Sequence, residues 1–328
     1  MGEDAISERC SWNIDRYAQS VTLGRHGNVG QSHREERGMF KGSFVAIVTP
    51  FREGKLDEAA LRNLIEFQLS HGTHGIVPCG TTGESPTLSH EEYERVIELT
   101  VDTVSRRVPV IAGTGFNSTE KTIEATRFAK QAGADGALIV TPYYNRPTPE
   151  GIYQHFTAVA KAVDIPIVVY NIPGRTGTNI LPDTMARLAA IDTVVGVKES
   201  TGSLQQVQEM IKLCGDKLSV LSGDDWATLP LLAVGGRGVI SVTANIAPRQ
   251  VAEVITTWEK GDVTAARALH YKLWPLHSTL FIETSPTPVK TALGMMGKIN
   301  PEVRLPLAPM LPHNRTKLEM VLKDFGLL

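Results

Sequence analysis

The segment "VVGVKES", residues 194–200, ends an apolar, β-branched run with a lysine and a glutamate. Such a run predicts a buried strand, and a buried ammonium is destabilised unless it is paired or loses its proton. A lysine whose pKa is lowered by burial supplies a neutral amine, which can form a Schiff base with a carbonyl substrate. The alternative is that the strand ends at Val197 and that Lys198 reaches solvent.

A tyrosine occupies a similar position in "PIVVYNI", residues 166–172. Because side chains alternate along a strand, Gly196 and Lys198 are predicted to share one face of their strand, with Val195 and Val197 on the other. If Tyr170 lies on a neighbouring strand and faces the same way as Lys198, its phenol is placed to move protons during the reaction.

The chain from Met39 onward alternates strand patterns with helix patterns. Eight strands, each followed by a helix, are predicted in "SFVAIVT", "GIVPCG", "VPVIAGTG", "GALIVT", "PIVVYNI", "VVGVKES", "KLSVLSG" and "GVISV". Strands that are apolar throughout are typical of parallel sheets covered on both faces. Eight such units predict an α/β protein with a TIM (β/α)8 barrel. The alternative is a doubly wound sheet, which is disfavoured because no Gly-rich dinucleotide fingerprint follows the first strand.

Three regions follow from this pattern. Residues 1–38 show no sustained apolar periodicity, and we interpret them as a flexible N-terminal extension whose acidic residues argue against a targeting peptide. Residues 39–261 form the predicted barrel. Residues 262–328 carry helical patterns without strands, and we expect a C-terminal helical appendage there.

The composition excludes several classes of protein. The 328 residues include 33 Lys and Arg and 35 Asp and Glu, for a formal net charge of -2, so the chain lacks the basic face of a nucleic-acid-binding protein. No apolar run approaches the ~20 residues that a membrane span needs. Three scattered cysteines, Cys10, Cys79 and Cys214, make no disulfide framework and favour a reducing cytoplasm. The histidines lack metal-site spacing, so we expect no metal and no cofactor.

Active sites of TIM barrels lie at the C-terminal ends of the strands, and in this sequence those ends are polar. They carry "GTTGE", "TPYYNRP", "YNIPGRTG", "GVKES", "LSGDD" and "GVISVTAN". In this order and spacing the motifs resemble those of the dihydrodipicolinate synthase group, within the class I pyruvate aldolase family that includes N-acetylneuraminate lyase. The resemblance extends from Met39 to Leu328.

The resemblance implies a reaction and the residues that perform it. Pyruvate and L-aspartate 4-semialdehyde would condense through a lysine Schiff base to 4-hydroxy-tetrahydrodipicolinate, in lysine (diaminopimelate) biosynthesis, with a homotetramer as the usual assembly. Lys198 resembles the Schiff-base lysine, and Tyr170 resembles the general acid/base. Thr82 resembles a hydroxyl that bridges Tyr170 to a second tyrosine, Tyr144, which the family inserts from a neighbouring subunit.

Other positions resemble the substrate-binding residues of the family. Thr81 and Thr82 resemble the cradle for the pyruvate carboxylate. Arg175 resembles the residue that holds the carboxylate of the second substrate, a role that suits a forked donor. Gly223 and the carbonyl of Ile240 resemble the remaining walls of the pocket.

Two alternative functions stay open at this point. One is another pyruvate-dependent class I aldolase, such as a sialic-acid or keto-sugar-acid lyase. The other is a barrel that binds a ligand without catalysis. Arg175 favours a small carboxylated aldehyde over a sugar acid, and the presence of both Lys198 and Tyr170 favours an enzyme over a binding protein.

An allosteric pocket for L-lysine lies at the subunit interface of lysine-inhibited members of the family. Ser85, His90, Asn117 and Tyr143 match positions of that pocket. Two further positions depart from it. Tyr93 stands where sensitive relatives often carry a histidine, and Lys121 stands where they carry a glutamate.

We therefore expect L-lysine to inhibit this protein weakly or not at all. A glutamate at position 121 would pair with the ammonium of the effector, whereas Lys121 repels it. The measurement is activity against rising L-lysine at saturating pyruvate, and strong inhibition at submillimolar L-lysine would contradict the expectation. Lys121→Glu combined with Tyr93→His should begin to restore inhibition.

Overall fold

The computed structural model describes residues 40–328, and the predicted extension at 1–38 lies outside this range. The strands of the described part are β1 (Gly42–Ala46), β2 (Phe51–Arg52), β3 (Lys55–Leu56), β4 (Gly75–Val77), β5 (Ile111–Gly113), β6 (Gly136–Val140), β7 (Ile167–Asn171), β8 (Val194–Glu199), β9 (Ser219–Ser222) and β10 (Gly238–Ser241). Its helices are α1 (Glu58–Ser70), α2 (His90–Val104), α3 (Thr119–Gln131), α4 (Pro149–Ala162), α5 (Pro173–Thr176), α6 (Pro182–Leu188), α7 (Leu204–Cys214), α8 (Thr228–Ala233), α9 (Pro248–Glu259), α10 (Val263–Thr279), α11 (Thr287–Met295) and α12 (Pro312–Phe325).

Eight parallel strands form one sheet in the order β4-β1-β10-β9-β8-β7-β6-β5. A parallel bridge between Ile76 and Val110 joins the two ends of this order and closes the sheet. Helices separate the strands, and α10, α11 and α12 follow the last one. The predicted TIM (β/α)8 barrel with C-terminal helices is confirmed. The boundary between residues 261 and 262 stays a prediction.

The interior of the barrel is apolar except near its mouth. One cluster of buried side chains fills it: Phe40, Phe44, Ala46, Val77, Ile111, Leu138, Val168, Tyr170, Val195, Leu221 and Ile240. Two other clusters lie between the outer faces of the strands and the helices. Strands buried on both faces explain why the sequence runs are apolar throughout rather than alternating.

The expectation that Val195 lies on the face opposite Lys198 is wrong. Val195 belongs to the interior cluster, whereas Val197 packs outside the barrel. The register between β7 and β8 shifts, because Ile167 pairs with Val194 and the next residue of β7 pairs with Gly196. A bulge of this kind adds one residue to a strand and interrupts the alternation of its side chains.

Side-chain caps fix the starts of several helices. The Asp57 carboxylate accepts a hydrogen bond from the Ala60 amide at the start of α1, and the Ser118 hydroxyl accepts one from Lys121 at the start of α3. At α2, Ser89 and Glu92 form a reciprocal capping box. These caps set where each helix leaves the rim of the barrel.

A short antiparallel hairpin, β2 and β3, follows the first barrel strand and is not predicted by the sequence patterns. Each of its strands has two residues, too few for a periodic signal. The ring of Phe51 in this hairpin is fully buried. Phe51 contacts side chains from the C-terminal region, which are described below.

Candidate active site

Lys198 lies near the end of β8, directly beside Tyr170 in the register of β7 and β8. Its side chain is buried, and its Nζ lies 4.2 Å from the centroid of the Tyr170 ring. Burial lowers the pKa of Lys198 to about 8, the negative charges of Asp224 and Asp225 oppose this shift, and Arg175 adds to it. The solvent-exposed alternative for Lys198 is therefore excluded. With a pKa of about 8, a substantial fraction of the amine is neutral, and therefore nucleophilic, slightly above neutral pH.

Tyr170 is also buried, and burial raises the pKa of its phenol above the usual value. The hydroxyls of Ser200 and Thr81 and the charge of Arg175 act in the opposite direction. At neutral pH the phenol therefore keeps its proton and can donate it. Of the neighbours that favour its ionised form, the hydroxyls of Ser200 and Thr81 can exchange protons, whereas Arg175 acts only through its charge.

Gly223 follows β9 and lies against the Lys198 side chain. A Cβ atom at position 223 would lie 1.9 Å from Ser200 Oγ and 3.1 Å from both Cγ and Cε of Lys198. The 1.9 Å approach is far inside van der Waals contact, so a larger residue would displace Ser200 or the amine. Glycine is required here because of this close approach.

A cavity of about 180 Å³ is bordered by Tyr170, and Lys198 lies behind the ring of that tyrosine rather than in the cavity wall. Thr81, Tyr170 and Arg175 contribute to its wall, and Leu138 and Ile172 are among its apolar residues. Arg175 lies on the exposed helix α5, and its Nη2 donates a hydrogen bond to the Ser285 carbonyl at 3.4 Å. The cavity therefore combines an apolar wall, several hydroxyl groups and one permanent positive charge.

The structure distinguishes the two neighbouring threonines. Thr81 lines the cavity, and its hydroxyl acts on Tyr170. Thr82 is buried and is not among the cavity residues. Thr81 therefore shares the cavity wall with Tyr170, and the relay role that the sequence resemblance suggested for Thr82 stays a prediction.

Tyr144 lies in the loop between β6 and α4, away from the packed interior. Its side chain is 89% exposed, and its backbone adopts a left-handed conformation with φ of 74°. A non-glycine residue in this region is strained and is often found at functional positions. Within one chain Tyr144 has little packing, which is the arrangement expected of a side chain that contacts another subunit.

Ile240 lies on β10 inside the barrel and shares the interior cluster with Tyr170. Its side chain is fully buried. The backbone at this end of β10 therefore lies in the same part of the barrel as Tyr170. This location is compatible with the wall position that the resemblance suggested.

The residues matched to an allosteric pocket do not all lie together in one chain. Ser85 and Tyr143 line the cavity, whereas His90 is exposed and pairs with Glu94 at 3.3 Å. The carbonyl of Asn117 accepts a hydrogen bond from the side-chain amide of Asn145 at 2.8 Å.

Tyr93 and Lys121, the two residues that depart from the lysine-binding pattern, lie in different environments. Tyr93 is a core residue whose hydroxyl donates a hydrogen bond to the Gly113 carbonyl at 2.8 Å. Lys121 is exposed. The Tyr93 hydroxyl therefore has a structural partner already, which limits its use in binding an effector.

Two residues of the site were not identified from the sequence, Ser200 and Asp224. Burial raises the pKa of Asp224 to about 6, while the neighbouring Lys198 lowers it. The Ser200 hydroxyl lies beside Tyr170 and Gly223. Both residues belong to the rim motifs "KES" and "SGDD", so their position at strand ends was a usable signal.

Residues 40–328 lack two other kinds of functional feature. They contain no cluster of three or more His, Cys, Asp or Glu side chains that could hold a metal ion. Within the same range no helix is long and apolar enough to cross a membrane. Cys79 and Cys214 are free thiols in this range, and burial raises the pKa of both, which makes them poor nucleophiles.

A closed (β/α)8 barrel with a buried lysine of lowered pKa beside a buried tyrosine defines the class of Schiff-base aldolases and lyases. The Dihydrodipicolinate synthetase family matches residues 39–325 of this chain. The chain belongs to this family.

Individual relatives agree with the family match. A 4-hydroxy-tetrahydrodipicolinate synthase of Syntrophus aciditrophicus is 61% identical over 290 residues, which cover 88% of this chain and all of the relative. The crystal structure of dihydrodipicolinate synthase from Aquifex aeolicus is 52% identical with a TM-score of 0.87, over 88% of this chain and 99% of that one. A structure described as the first monomeric dihydrodipicolinate synthase variant is 46% identical, with a TM-score of 0.87, over 88% and 98% of the two chains.

The charges around Lys198 predict opposite pH shifts for two variants. Asp224 stabilises the ammonium form, so Asp224→Asn should lower the pKa of Lys198 and extend imine formation to lower pH. Arg175 destabilises that form, so Arg175→Ala should move imine formation to higher pH. The measurement is the rate of cyanoborohydride-trapped pyruvate labelling between about pH 6 and about pH 9. Asp216→Asn, at an exposed carboxylate, is the control, and shifts in the same direction for both variants would contradict the assignment.

Proposed function

We propose that this protein condenses pyruvate with L-aspartate 4-semialdehyde to give 4-hydroxy-tetrahydrodipicolinate, with Lys198 as the nucleophile. The observation that carries the proposal is the buried Lys198 amine, held 4.2 Å from the Tyr170 ring at the mouth of the barrel with its pKa lowered to about 8. Membership of the Dihydrodipicolinate synthetase family supports the choice of substrates. The reaction places the protein in lysine biosynthesis.

The reaction needs only an amine and proton transfers. The neutral Lys198 amine adds to the ketone carbon of pyruvate, and loss of water gives an imine. Removal of a methyl proton gives an enamine, whose carbon adds to the aldehyde of the second substrate and leaves a hydroxyl. The amine of that substrate then attacks the imine carbon, closes the ring and releases Lys198.

Tyr170 moves the protons of these steps. Its raised pKa keeps it protonated between turnovers, so that it can donate to the departing water and take a proton back later. We assign the next position of the relay to Thr81, because Thr81 lines the cavity and acts on the phenol. Tyr144 of a neighbouring subunit would complete the relay.

The backbone turn that carries the threonines offers donors to the pyruvate carboxylate. The amides of Gly83 and Glu84 already donate to the carbonyls of Gly80 and Thr81, each at 3.1 Å. The amides of Thr81 and Thr82 are therefore the ones proposed to bind the carboxylate. Backbone N–H groups in a tight turn form a good site for an anion.

Arg175 is proposed to bind the carboxylate of the second substrate. It lies on the exposed rim of the cavity, and its guanidinium can form two parallel hydrogen bonds to a carboxylate. A sugar-acid lyase would need hydroxyl-binding groups at this end of the pocket. The positive charge at this rim favours an aldehyde that carries a carboxylate of its own.

The assembly is proposed to be a homotetramer in the cytoplasm. The exposed and strained Tyr144 supports a contribution to the site of a neighbouring subunit. The description of one 46% identical relative as a monomeric variant is compatible with an oligomer as the common form.

The direct test of the proposed function is an assay with pyruvate and L-aspartate 4-semialdehyde, with cleavage of sialic acid as the comparison. Ring formation that depends on both substrates is expected. Cleavage of sialic acid without ring formation would favour the other class I aldolases. Binding of pyruvate without either reaction would favour a non-catalytic barrel.

Lys198→Ala should abolish covalent trapping and lower kcat by several orders of magnitude, because the imine can no longer form. The measurement is mass-spectrometric peptide mapping after borohydride reduction in the presence of pyruvate. Arg175→Ala is the matched control and should keep the adduct at about pH 9, where the amine is neutral in both proteins. An adduct on Lys161 or Lys290 would rule out Lys198.

Tyr144 provides a test of the shared site. If it acts in a neighbouring subunit, Tyr144→Phe should lower kcat while leaving pyruvate trapping in place, and folded monomers should be inactive. Mixed oligomers of Tyr144→Phe and Lys198→Ala chains should regain activity, because some sites then receive an intact copy of each residue. Fully active monomers would show that Tyr144 has no role across the interface.

A further inference from the structure

A buried ion pair joins the C-terminal helical region to the turn that carries Thr81. Lys290, on α11, is fully buried, and its Nζ lies 2.6 Å from Oε1 of Glu84. The Glu84 side chain is 1% exposed. Burying both charges removes their hydration, so such a pair rarely adds stability compared with two apolar residues. A specific structural role therefore explains this ion pair better than a gain in stability does.

The pair belongs to a larger arrangement around the ring of Phe51. The Nζ of Lys290 lies 4.2 Å from the ring centroid, and the guanidinium of Arg304 lies 4.0 Å from it. The second oxygen of Glu84 accepts a hydrogen bond from the backbone amide of Arg304 at 3.0 Å. Both carboxylate oxygens of Glu84 are therefore held by the C-terminal region, which leaves this side chain one orientation.

Arg304 extends the contact to the segment that follows the turn. Its guanidinium holds Glu92, at the start of α2, through two hydrogen bonds of 2.5 and 2.6 Å. It also donates to the carbonyl of Thr87 at 2.9 Å. The loop between the turn and α2 is thus fixed at Glu84, at Thr87 and at Glu92.

The backbone links Glu84 to Thr81. Glu84 adopts a left-handed conformation with φ of 53°, and its amide donates to the Thr81 carbonyl at 3.1 Å. Cys79, on the other side of the turn, is also left-handed, with φ of 54°. Two strained residues hold such positions only when contacts around them fix the backbone. The ion pair supplies that contact at the Glu84 end.

We propose that Glu84 and Lys290 are positioning residues for pyruvate binding. They do not contact the substrate; they fix the turn so that the Thr81 hydroxyl reaches Tyr170 and the amides of Thr81 and Thr82 face the pyruvate carboxylate. The C-terminal helical region thereby becomes part of the active site. This inference rests on the proposed function and names the part of the molecule that sets the pyruvate subsite.

The test separates positioning from stability. Lys290→Met keeps a long side chain and removes the charge, and Glu84→Gln keeps the shape of its partner. Leu318→Ala is the control, because Leu318 is fully buried in α12 of the same region but takes no part in the turn. Steady-state kinetics for each substrate, pyruvate-dependent borohydride labelling of Lys198 and thermal unfolding are measured for every variant.

Lys290→Met is expected to raise the KM for pyruvate about tenfold, with a much smaller change in the KM for L-aspartate 4-semialdehyde. The pyruvate concentration that gives half-maximal labelling of Lys198 should rise by a similar factor, while labelling at saturation stays complete. Leu318→Ala should lower the unfolding temperature and leave both KM values unchanged. Glu84→Gln should resemble Lys290→Met in its effect on pyruvate, and it serves as the test if Lys290→Met does not fold.

The double variant Glu84→Gln, Lys290→Met leaves no unpaired charge in the core, so its pyruvate KM should fall part of the way back from that of Lys290→Met. Unchanged pyruvate KM values in the folded single variants would overturn the inference, as would an equal rise in Leu318→Ala. Failure of the proposed function is a different result, because the unmodified protein would then show no pyruvate label on Lys198.

Discussion

Burial of the Lys198 amine is the constraint on which the rest of the site depends. Removing an ammonium from water lowers its pKa, and the carboxylates of Asp224 and Asp225 limit the fall so that it ends at about 8. The amine can then be neutral for attack and charged for other steps without a large free-energy cost. Gly223 permits this burial, since a Cβ at that position would meet the Lys198 chain at 3.1 Å.

The closed parallel barrel is what makes this burial possible. Its interior supplies an apolar wall, and the parallel strands bring their C-terminal ends to one mouth. Tyr170 and Lys198 become direct neighbours through the register of β7 and β8, although 27 residues separate them in the chain.

The C-terminal helices have a closer relation to the mouth than their place in the chain suggests. Lys290 and Arg304 contact the loop after β4, and the Ser285 carbonyl accepts a hydrogen bond from Arg175. These contacts come from the far end of the sequence and reach two sides of the cavity. The C-terminal helical region and the barrel therefore both determine the shape of the site.

The sequence alone determined the eightfold alternation of strands and helices and the polar strand ends that include Lys198, Tyr170 and Arg175, because these features are local and periodic. Tertiary structure decided the rest. The bulge at Val195 depends on the neighbouring strand, and the place of Thr81 in the cavity wall depends on the turn that follows β4. The Glu84–Lys290 pair spans 206 residues, a separation at which no pattern of spacing can report a contact.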